Sequence, residues 1–438
     1  MKHKTSSIET IVKIAGFHDA PDHPESADKP AIEIYVIGGA VRDALLGMPV
    51  HDRDFLVIGA TPAEMMASGF TPHASDPSVF LHPISQDEHA LAPAEKHIPG
   101  DNGLAYHTPS EIVLERMLKK SDLTINAIAQ AEDGSIIDPF GGEKDLQDRL
   151  IRHVSPAFAE DPFRIFRVAR LVARFPEFSV AEKTNVLMQQ MVADGMLERI
   201  SPELIWLELA GGLMEARPSR MFDVLRECGA LARVLPEVEA LWGVPQAEKY
   251  HPEIDTGRHA MMALDCVARR NHSLPIRFAA LTHDLGKGGT PPEAWPRHDG
   301  HEARSERLIE KICQRLSIPD DCRTLALITA RNHIDVSAAL SLRATNVIGL
   351  FERCNAFRET HLFVDMLHAS ECDHHGHTGI AGKPFAQAAY LQSALNAAQS
   401  VSEEEIAAQY PGQRRRLLAA LRKARVAAVR GHNLSRAR

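Results

Sequence analysis

The sequence predicts an α+β protein, a sheet-and-helix head of about 120 residues followed by an all-helical body. Two observations carry this. Strand-like runs rich in β-branched and aromatic residues are confined to the first third of the chain: Ile32 to Ile37, Phe55 to Ile58, Val79 to Leu81 and Ser135 to Asp138. Beyond about residue 155 apolar residues recur at helical spacing, with short breaks near Pro218, Pro236, Pro245, Pro275 and Pro319. In chain order, residues 1–30 are polar and rich in His, Pro and Asp, and read as a flexible extension. The first strand is broken by Gly38-Gly39, and Ala40 to Leu46 reads as a helix closed by Gly47. The fourth strand runs into the turn signal Pro139-Phe140-Gly141-Gly142. The expected division is a head over 31–153, a helical neck over 154–245, a second helical domain over 246–380 and a basic helical tail over 381–438.

Composition narrows the function classes. The chain has 438 residues, 44% apolar and 24% charged, which excludes a fibrous or largely disordered protein. No run of 18 apolar residues occurs, so no membrane-spanning helix is expected. The first 15 residues lack a secretory apolar core. Six cysteines are scattered through the second half with no C-x-x-C pair, the pattern of reduced thiols in a cytoplasmic protein. A net charge of −9 argues against a general nucleic-acid binder. The distribution argues otherwise: from Ile406 to Arg438 there is no acid, while Arg414, Arg415, Arg416, Arg422, Lys423, Arg425, Arg430, Arg436 and Arg438 are all basic. Such a tail suits phosphate contacts, and equally suits a solubilising helix end.

Three constellations carry chemistry. In the first, a strand, the turn Gly38-Gly39 and a helix N-terminus expose backbone N–H groups where a phosphate can approach, with Arg42 one turn further on. Asp52 and Asp54 stand two apart at the entrance of the next strand, where alternation points both carboxylates the same way. Two such groups can hold Mg²⁺ that bridges nucleotide phosphates. In the second, Arg164, Arg167 and Arg170 recur every three residues on an otherwise apolar helix, so they need anions nearby. Either a ligand or the adjacent acids Glu160 and Asp161 would serve. In the third, adjacent His283-Asp284 follows an apolar segment, with His259 upstream and His298, His301 and His333 downstream. A His-Asp pair can bind a metal when another helix supplies a further His. His333 and Asp335 are secondary candidates. The cluster Cys372 to His377 is dense in metal-binding types but has no matching second half, so it reads as a helix-ending RNA-contact loop.

Gly38 to Asp43, Leu45 to Gly47 and Asp52 to Asp54 resemble the signature of the class II polymerase-β-like nucleotidyltransferases. Asp122-Leu123-Thr124-Ile125-Asn126-Ala127 resembles that family's second motif, and Asp138 to Gly142 with Asp145-Leu146 and Arg149 to Arg152 its third. Glu160 to Arg170 resembles its nucleotide-selecting helix. His283 to Gly288, Tyr250 to Gly257 and Thr290 to His298 resemble the long bacterial CCA-adding enzymes that carry an HD phosphohydrolase domain. This resemblance implies a small mixed sheet in the head and an HD domain in the body. It implies addition or repair of the tRNA 3′-terminal CCA from CTP and ATP without a template, the tRNA 3′ hydroxyl attacking the nucleotide α-phosphate. Asp52 and Asp54 would be catalytic and hold Mg²⁺. Gly38, Gly39, Arg42, Asp122, Asn126, Glu160, Asp161, Arg164, Arg167 and Arg170 would bind nucleotide. His259, His283 and Asp284 would hold Mg²⁺, Mn²⁺, Co²⁺ or Ni²⁺ for phosphatase and 2′,3′-cyclic phosphodiesterase activity. The partners implied are tRNA, ATP and CTP, with no membrane, in a monomer or homodimer.

The sequence also departs from the pattern. The family's second motif usually begins Arg-Arg-Asp, where this chain has Lys120-Ser121-Asp122. Pro93-Ala94-Glu95-Lys96 stands where an arginine precedes a Thr-Glu-Arg segment, and Glu115-Arg116-Met117 where acids follow a glutamate. A poly(A) polymerase or A-only enzyme, and a non-catalytic RNA-binding paralogue, are the alternative readings.

Overall fold

The computed structural model describes residues 32–93, 98–99, 105–106, 110–247, 254–376 and 384–436. The N-terminal extension expected over residues 1–30 lies outside the described residues. So do Ala94 to Lys96 of the second departure, Tyr250 to Glu253 and His377. The described parts of Met1–Arg164 with Glu177–Met188 form one compact unit, and those of Ile165–Pro176 with Gln189–Arg438 form another.

The first unit is built on a seven-stranded mixed sheet. In chain order the strands are β1 (Glu33–Ile37), β2 (Asp54–Ile58), β3 (Thr71–Pro72), β4 (Val79–Leu81), β5 (Glu88–Leu91), β6 (Ala129–Gln130) and β7 (Ile136–Ile137). The spatial order is β3-β4-β5-β2-β1-β6-β7, antiparallel throughout except for the parallel pair β2–β5. β2 is central, and its run Phe55-Leu56-Val57-Ile58 is buried on both faces. Leu56 and Ile58 pack with Tyr35, Val113, Leu114 and Leu118 on one side. Val57 packs with Met65, Phe70, Phe80 and Leu91 on the other. The strands not anticipated from sequence, β3, β5 and β6, are short or polar. Glu88-His89 has little strand propensity and is drawn into the sheet by pairing with Asp54 and Phe55.

The β1–β2 register sets Ile37 opposite Asp54. The chain therefore turns at Gly38 directly beside the first residue of β2. Gly38 has φ 73°, a conformation that L side chains rarely adopt, and it leads into α1 (Gly39–Leu45), one residue earlier than expected.

Helix α2 (Arg164–Arg174) buries Ile165, Phe166, Val168, Ala169, Val172 and Ala173. The second unit continues through α3 (Thr256–Arg269), α4 (Leu274–Thr282), α5 (His301–Arg315), α6 (Asp320–Ser337), α7 (Ala344–Arg353), α8 (Thr360–His375), α9 (Ala386–Gln399) and α10 (Arg414–Arg436). The prolines expected to break the helices mostly start them. Pro236 and Pro275 occupy first-turn positions, and Pro218 and Pro319 are N-caps. One small sheet interrupts the helical stretch, a parallel pair between Leu150–Ile151 and Ser179–Val180. All six cysteines are buried and unbridged. Among the described residues no helix is long and apolar enough to cross a membrane.

Candidate functional site

In the head, the Asp54 carboxylate lies against the Gly38 turn. A Cβ built on Gly38 would stand 3.8 Å from Asp54 Oδ2 and 4.0 Å from the Asn126 carbonyl. The Gly38 N–H donates to Ile128 O at 3.2 Å, so the turn's remaining donors are those of the first helical turn after it. Asp52 is exposed and precedes β2 in an irregular stretch, so strand alternation does not itself fix its direction. Arg42 sits lower than expected. It is 5% exposed, with Nε on Asp43 Oδ1 at 2.8 Å and Nη1 on Asn126 Oδ1 at 2.7 Å. Asn126 Nδ2 donates in turn to Asp122 Oδ1 at 3.0 Å, and the Leu123 N–H donates to the same oxygen. Arg42, Asn126 and Asp122 thus brace the turn from beneath.

Arg164 donates to the carbonyls of Ala157 and Lys120 at 3.0 and 3.2 Å, tying its guanidinium to the residue before Ser121. Asp161 Oδ1 accepts from the Phe163 N–H at 3.0 Å and shapes the entry to α2, while Glu160 is exposed. Arg167 is exposed. Arg170 has its guanidinium against Glu215 at 3.1 Å and Glu208 at 3.6 Å, two acids outside the sequence pattern.

In the body, five segments converge. α3 supplies His259, the end of α4 supplies His283 and Asp284, and α5, α6 and α8 supply His301, His333 and Asp373. His259 Nε2 is 2.7 Å from Asp373 Oδ1, and His283 Nε2 is 3.4 Å from the same oxygen. Asp284 faces two ways. Its Oδ2 lies 3.3 Å from His283 Nε2 and 2.6 Å from Lys287 Nζ. Its Oδ1 lies 3.2 Å from His301 Nε2 and 3.5 Å from His333 Nε2. Lys287 Nζ also donates to Gln246 Oε1 at 2.7 Å. His283 Nε2 and Asp284 Oδ1 are buried without a hydrogen-bond partner. Orphaned ligand atoms among histidines and carboxylates fit a divalent cation. A cleft of about 310 Å³ opens beside His301, lined also by Gln246, Lys287, His298, Glu302 and Ile334.

Burial alone would strip the charge from this cluster. For His283 it is outweighed by the carboxylates of Asp284 and Asp373, which push the imidazole up to about 10. Asp284 is likewise held well below the carboxylate range, burial being outweighed by Lys287 and His283, and Asp373 by His283 and His259. Burial does decide His333, which falls to about 4 and is a neutral donor at pH 7. A histidine whose folded-state value lies above its ordinary 6.5 stabilises the fold fully below about pH 6.5 and loses that contribution as pH rises towards 10. Metal-free protein is therefore expected to lose denaturant resistance between those values, and His283→Gln to flatten that slope. Urea midpoints across the range, in chelator, check it.

The structure brings the sequence candidates His259, His283 and Asp284 close together, with His259 and His283 grouped with Asp373, and Asp284 with His301 and His333. Two corrections arise. Asp335 does not join: it is half-exposed and ion-paired with Arg353. Asp373, read as part of an RNA-contact loop, lies on α8 inside the cluster. The missed signal was periodic. Asp373 falls three and seven residues after the buried Ser370 and Met366, so it continues a buried helix face, where an acid needs a partner. His298, by contrast, pins its loop through Thr290 Oγ1 and Pro245 O.

The family described as "Poly A polymerase head domain" matches residues 34–152, and "Probable RNA and SrmB- binding site of polymerase A" matches 177–241. A multifunctional CCA protein of Herminiimonas arsenicoxydans is 59% identical over 403 residues, covering 91% of this chain and 97% of that relative. The chain belongs to the multifunctional CCA protein family. Its relative from Janthinobacterium sp. (strain Marseille) is 58% identical over the same shares. The fold is similar to that of the Bacillus stearothermophilus CCA-adding enzyme in complex with CTP. There the TM-score is 0.61 at 20% identity, covering 100% of this chain and 99% of the other. The Thermotoga maritima CCA-adding enzyme complexed with tRNA gives 0.52 at 19% identity, covering 85% and 79%.

Proposed function

We propose that this member of the multifunctional CCA protein family adds or repairs the 3′-terminal CCA of tRNA from CTP and ATP, choosing C or A with protein groups rather than a template. The observation that carries the reading is the β1–β2 register, which seats the Asp54 carboxylate against a side-chain-free turn at a helix start. The cradle that a Cβ on Gly38 would narrow, together with the carboxylates Asp52 and Asp54, suits Mg²⁺, a hard cation that takes oxygen ligands. When bound there, Mg²⁺ would neutralise phosphate charge and favour the attacking oxygen of the tRNA 3′ hydroxyl. The chain's own contribution is positional. Arg42, Asn126 and Asp122 hold the turn in place, and the backbone from Gly39 onward offers N–H groups to phosphate. Arg164 is anchored at two carbonyls, so its remaining donors and the acids Glu160 and Asp161 can meet a base edge. Arg167 stands exposed to reach phosphate, while Arg170, held by Glu208 and Glu215, acts as a brace for α2.

The body centre, within the domain assigned to 246–380, is proposed to hydrolyse phosphoesters, as phosphatase and 2′,3′-cyclic phosphodiesterase. His259, His283, Asp284 and Asp373 would hold a divalent cation there. A cytoplasmic location is part of the same proposal, supported by family membership and by the buried free cysteines, which suit a reducing compartment. The test is incubation with tRNA lacking CCA, Mg²⁺ and labelled CTP and ATP, followed by product sequencing. CCA ends support the reading; A-only or poly(A) ends overturn it.

Ser121 offers a gain-of-function check. It follows the carbonyl that Arg164 grips and precedes Asp122 of the brace. Ser121→Arg is expected to lower the KM for CTP and ATP about tenfold, equivalent to the ~1.5 kcal/mol lower end of a charge-assisted contact. Steady-state kinetics on a folded variant with unchanged KM would show that another cation already serves.

A further inference from the structure

The segment that follows the helix Pro202–Leu213 is stitched to two partners at once. On one side it holds α2. Glu215 pairs with Arg170 at 3.1 Å, and the Arg217 N–H donates to the Ala173 carbonyl at 3.0 Å. On the other side α3 and α4 hold it. Arg277 Nη1 donates to the carbonyls of Leu213 and Glu215 at 2.7 and 3.0 Å, and Asp265 accepts from the Ser219 N–H and hydroxyl at 3.1 and 2.8 Å. We infer that Arg277 and Asp265, which lie outside the motifs read from the sequence, are positioning residues for nucleotide selection. Through residues 213–219 they fix the roll of α2, and with it the arginines offered to the incoming nucleotide. This rests on the CCA-adding reading and extends it to residues of the helical body.

The bonds are of a kind that fixes orientation. Arg277 is 2% exposed, and its Nε donates to a third carbonyl, that of His272, at 2.8 Å. A buried guanidinium is costly, and an apolar side chain would fill the space at lower cost. An apolar side chain cannot, however, choose among carbonyls. The Met214 and Glu215 N–H groups take the carbonyls of Ala210, Gly211 and Gly212, and Arg277 takes the next one, that of Leu213. The helix end is thereby completed in one register. Burial lowers the Arg277 pKa and the Glu215 charge opposes that fall, so the Glu215 carboxylate serves Arg170 by contact and Arg277 through its field. The seat of Arg170 is equally specific. A Cβ on Gly211 would stand 2.7 Å from Arg170 Cζ, so the guanidinium lies against bare backbone.

Roll matters because Arg164, Arg167 and Arg170 share one face of α2. The carbonyls of Ala157 and Lys120 fix Arg164 at the start of the helix, and residues 213–219 fix its far end. A side-chain tip about 6 Å from a helix axis moves about 1 Å for each ~10° of roll. A misplacement of about 1 Å can cost on the order of 100-fold where reaction depends on alignment. Arg167 lies exposed between the two fixed ends, where an uncorrected roll would carry it away from phosphate.

The test uses the full chain with Arg277→Lys, Asp265→Asn and Gly211→Ala made singly. Gly211→Ala deletes no bond of the 213–219 segment. Its methyl meets the Arg170 guanidinium first, and alanine favours a helix over glycine, so the fold is kept. Addition to tRNA lacking CCA is followed at varied CTP, ATP and tRNA, beside melting curves. In each variant the KM for CTP is expected to rise about tenfold, and the preference for CTP over ATP at the first position to fall about tenfold, with the KM for tRNA unchanged. A merely structural role would lower the folded fraction and with it kcat, leaving both KM values and the preference as they were. Because Arg277 acts through Arg170, Gly211→Ala combined with Arg277→Lys is expected to be no worse than the worse of the two alone. Folded variants with wild-type KM for CTP and wild-type preference overturn the inference, as do losses that multiply in the double variant. Gly211→Ala and Asp265→Asn decide the matter if Arg277→Lys does not fold. Wild-type protein that adds no nucleotide overturns the CCA reading and the inference with it, whereas CCA addition with unaffected variants overturns the inference alone.

Discussion

Asp52→Ala and Asp54→Ala are each expected to abolish nucleotide addition while leaving the head folded. Loss of an outer partner of a metal ligand costs roughly 10–100-fold, and loss of a ligand itself should exceed that. The fold should tolerate both changes. Asp52 and Asp54 are exposed, and the hydrophobic packing of β2 begins at Phe55. Its backbone pairing with Ile37 and Glu88 does not require a carboxylate side chain. Incorporation of labelled CTP into tRNA lacking CCA, beside circular dichroism and melting curves, measures both halves. Either variant keeping near wild-type addition in Mg²⁺ would sink the assignment of these carboxylates. The two substitutions also differ in what they probe. Asp54 is fixed by strand register against Gly38, whereas Asp52 hangs from an irregular stretch. Asp54→Glu should therefore be nearly as damaging as alanine, because a longer arm would carry the carboxylate away from the position that the strand register fixes. Asp52→Glu should retain more activity.

Much of this arrangement was legible because it is local. The strand, glycine pair and helix of residues 32–46, and the His-Asp pair after an apolar segment, each lie within one turn or one element, where spacing determines direction. What stayed hidden is created by packing between distant segments. Arg42 reads as an anion ligand until the Asn126 loop, 84 residues away, takes its guanidinium. Asp373 is 114 residues from His259, and no spacing rule reaches that far. Asp335 looked equivalent to His333 from their nearness in sequence. Two residues on a helix differ by about 200° in direction, which sends Asp335 out to Arg353 while His333 turns in. β5 escaped notice for the same reason: Glu88 and His89 are strand residues only because β2 lies beside them.

His283→Ala is expected to remove phosphohydrolysis and spare CCA addition. His283 touches both carboxylates of the body cluster, Asp284 and Asp373, so its imidazole links the two halves of that centre. His283 belongs to one compact unit, and Asp52, Asp54 and the Gly38 turn belong to the other. Its loss removes a nitrogen ligand and also leaves Asp284 and Asp373 without a neighbour that lowers both. Residual metal binding should weaken, since two buried carboxylates then face each other's charge with less compensation. In metal-free protein the substitution should also cost stability below about pH 6.5, and progressively less as pH rises towards 10, where the raised His283 no longer contributes. Both reactions should be assayed on one preparation, after chelation and after add-back of Mg²⁺, Mn²⁺, Co²⁺ or Ni²⁺. Phosphohydrolysis surviving the substitution, or absent from wild-type protein with every one of these ions, would leave the cluster as a structural brace of the helical body. A parallel fall in CCA addition would instead couple the two centres, and Gly286→Ala, which pries α5 from the loop after Asp284 without deleting a ligand, would then reproduce it.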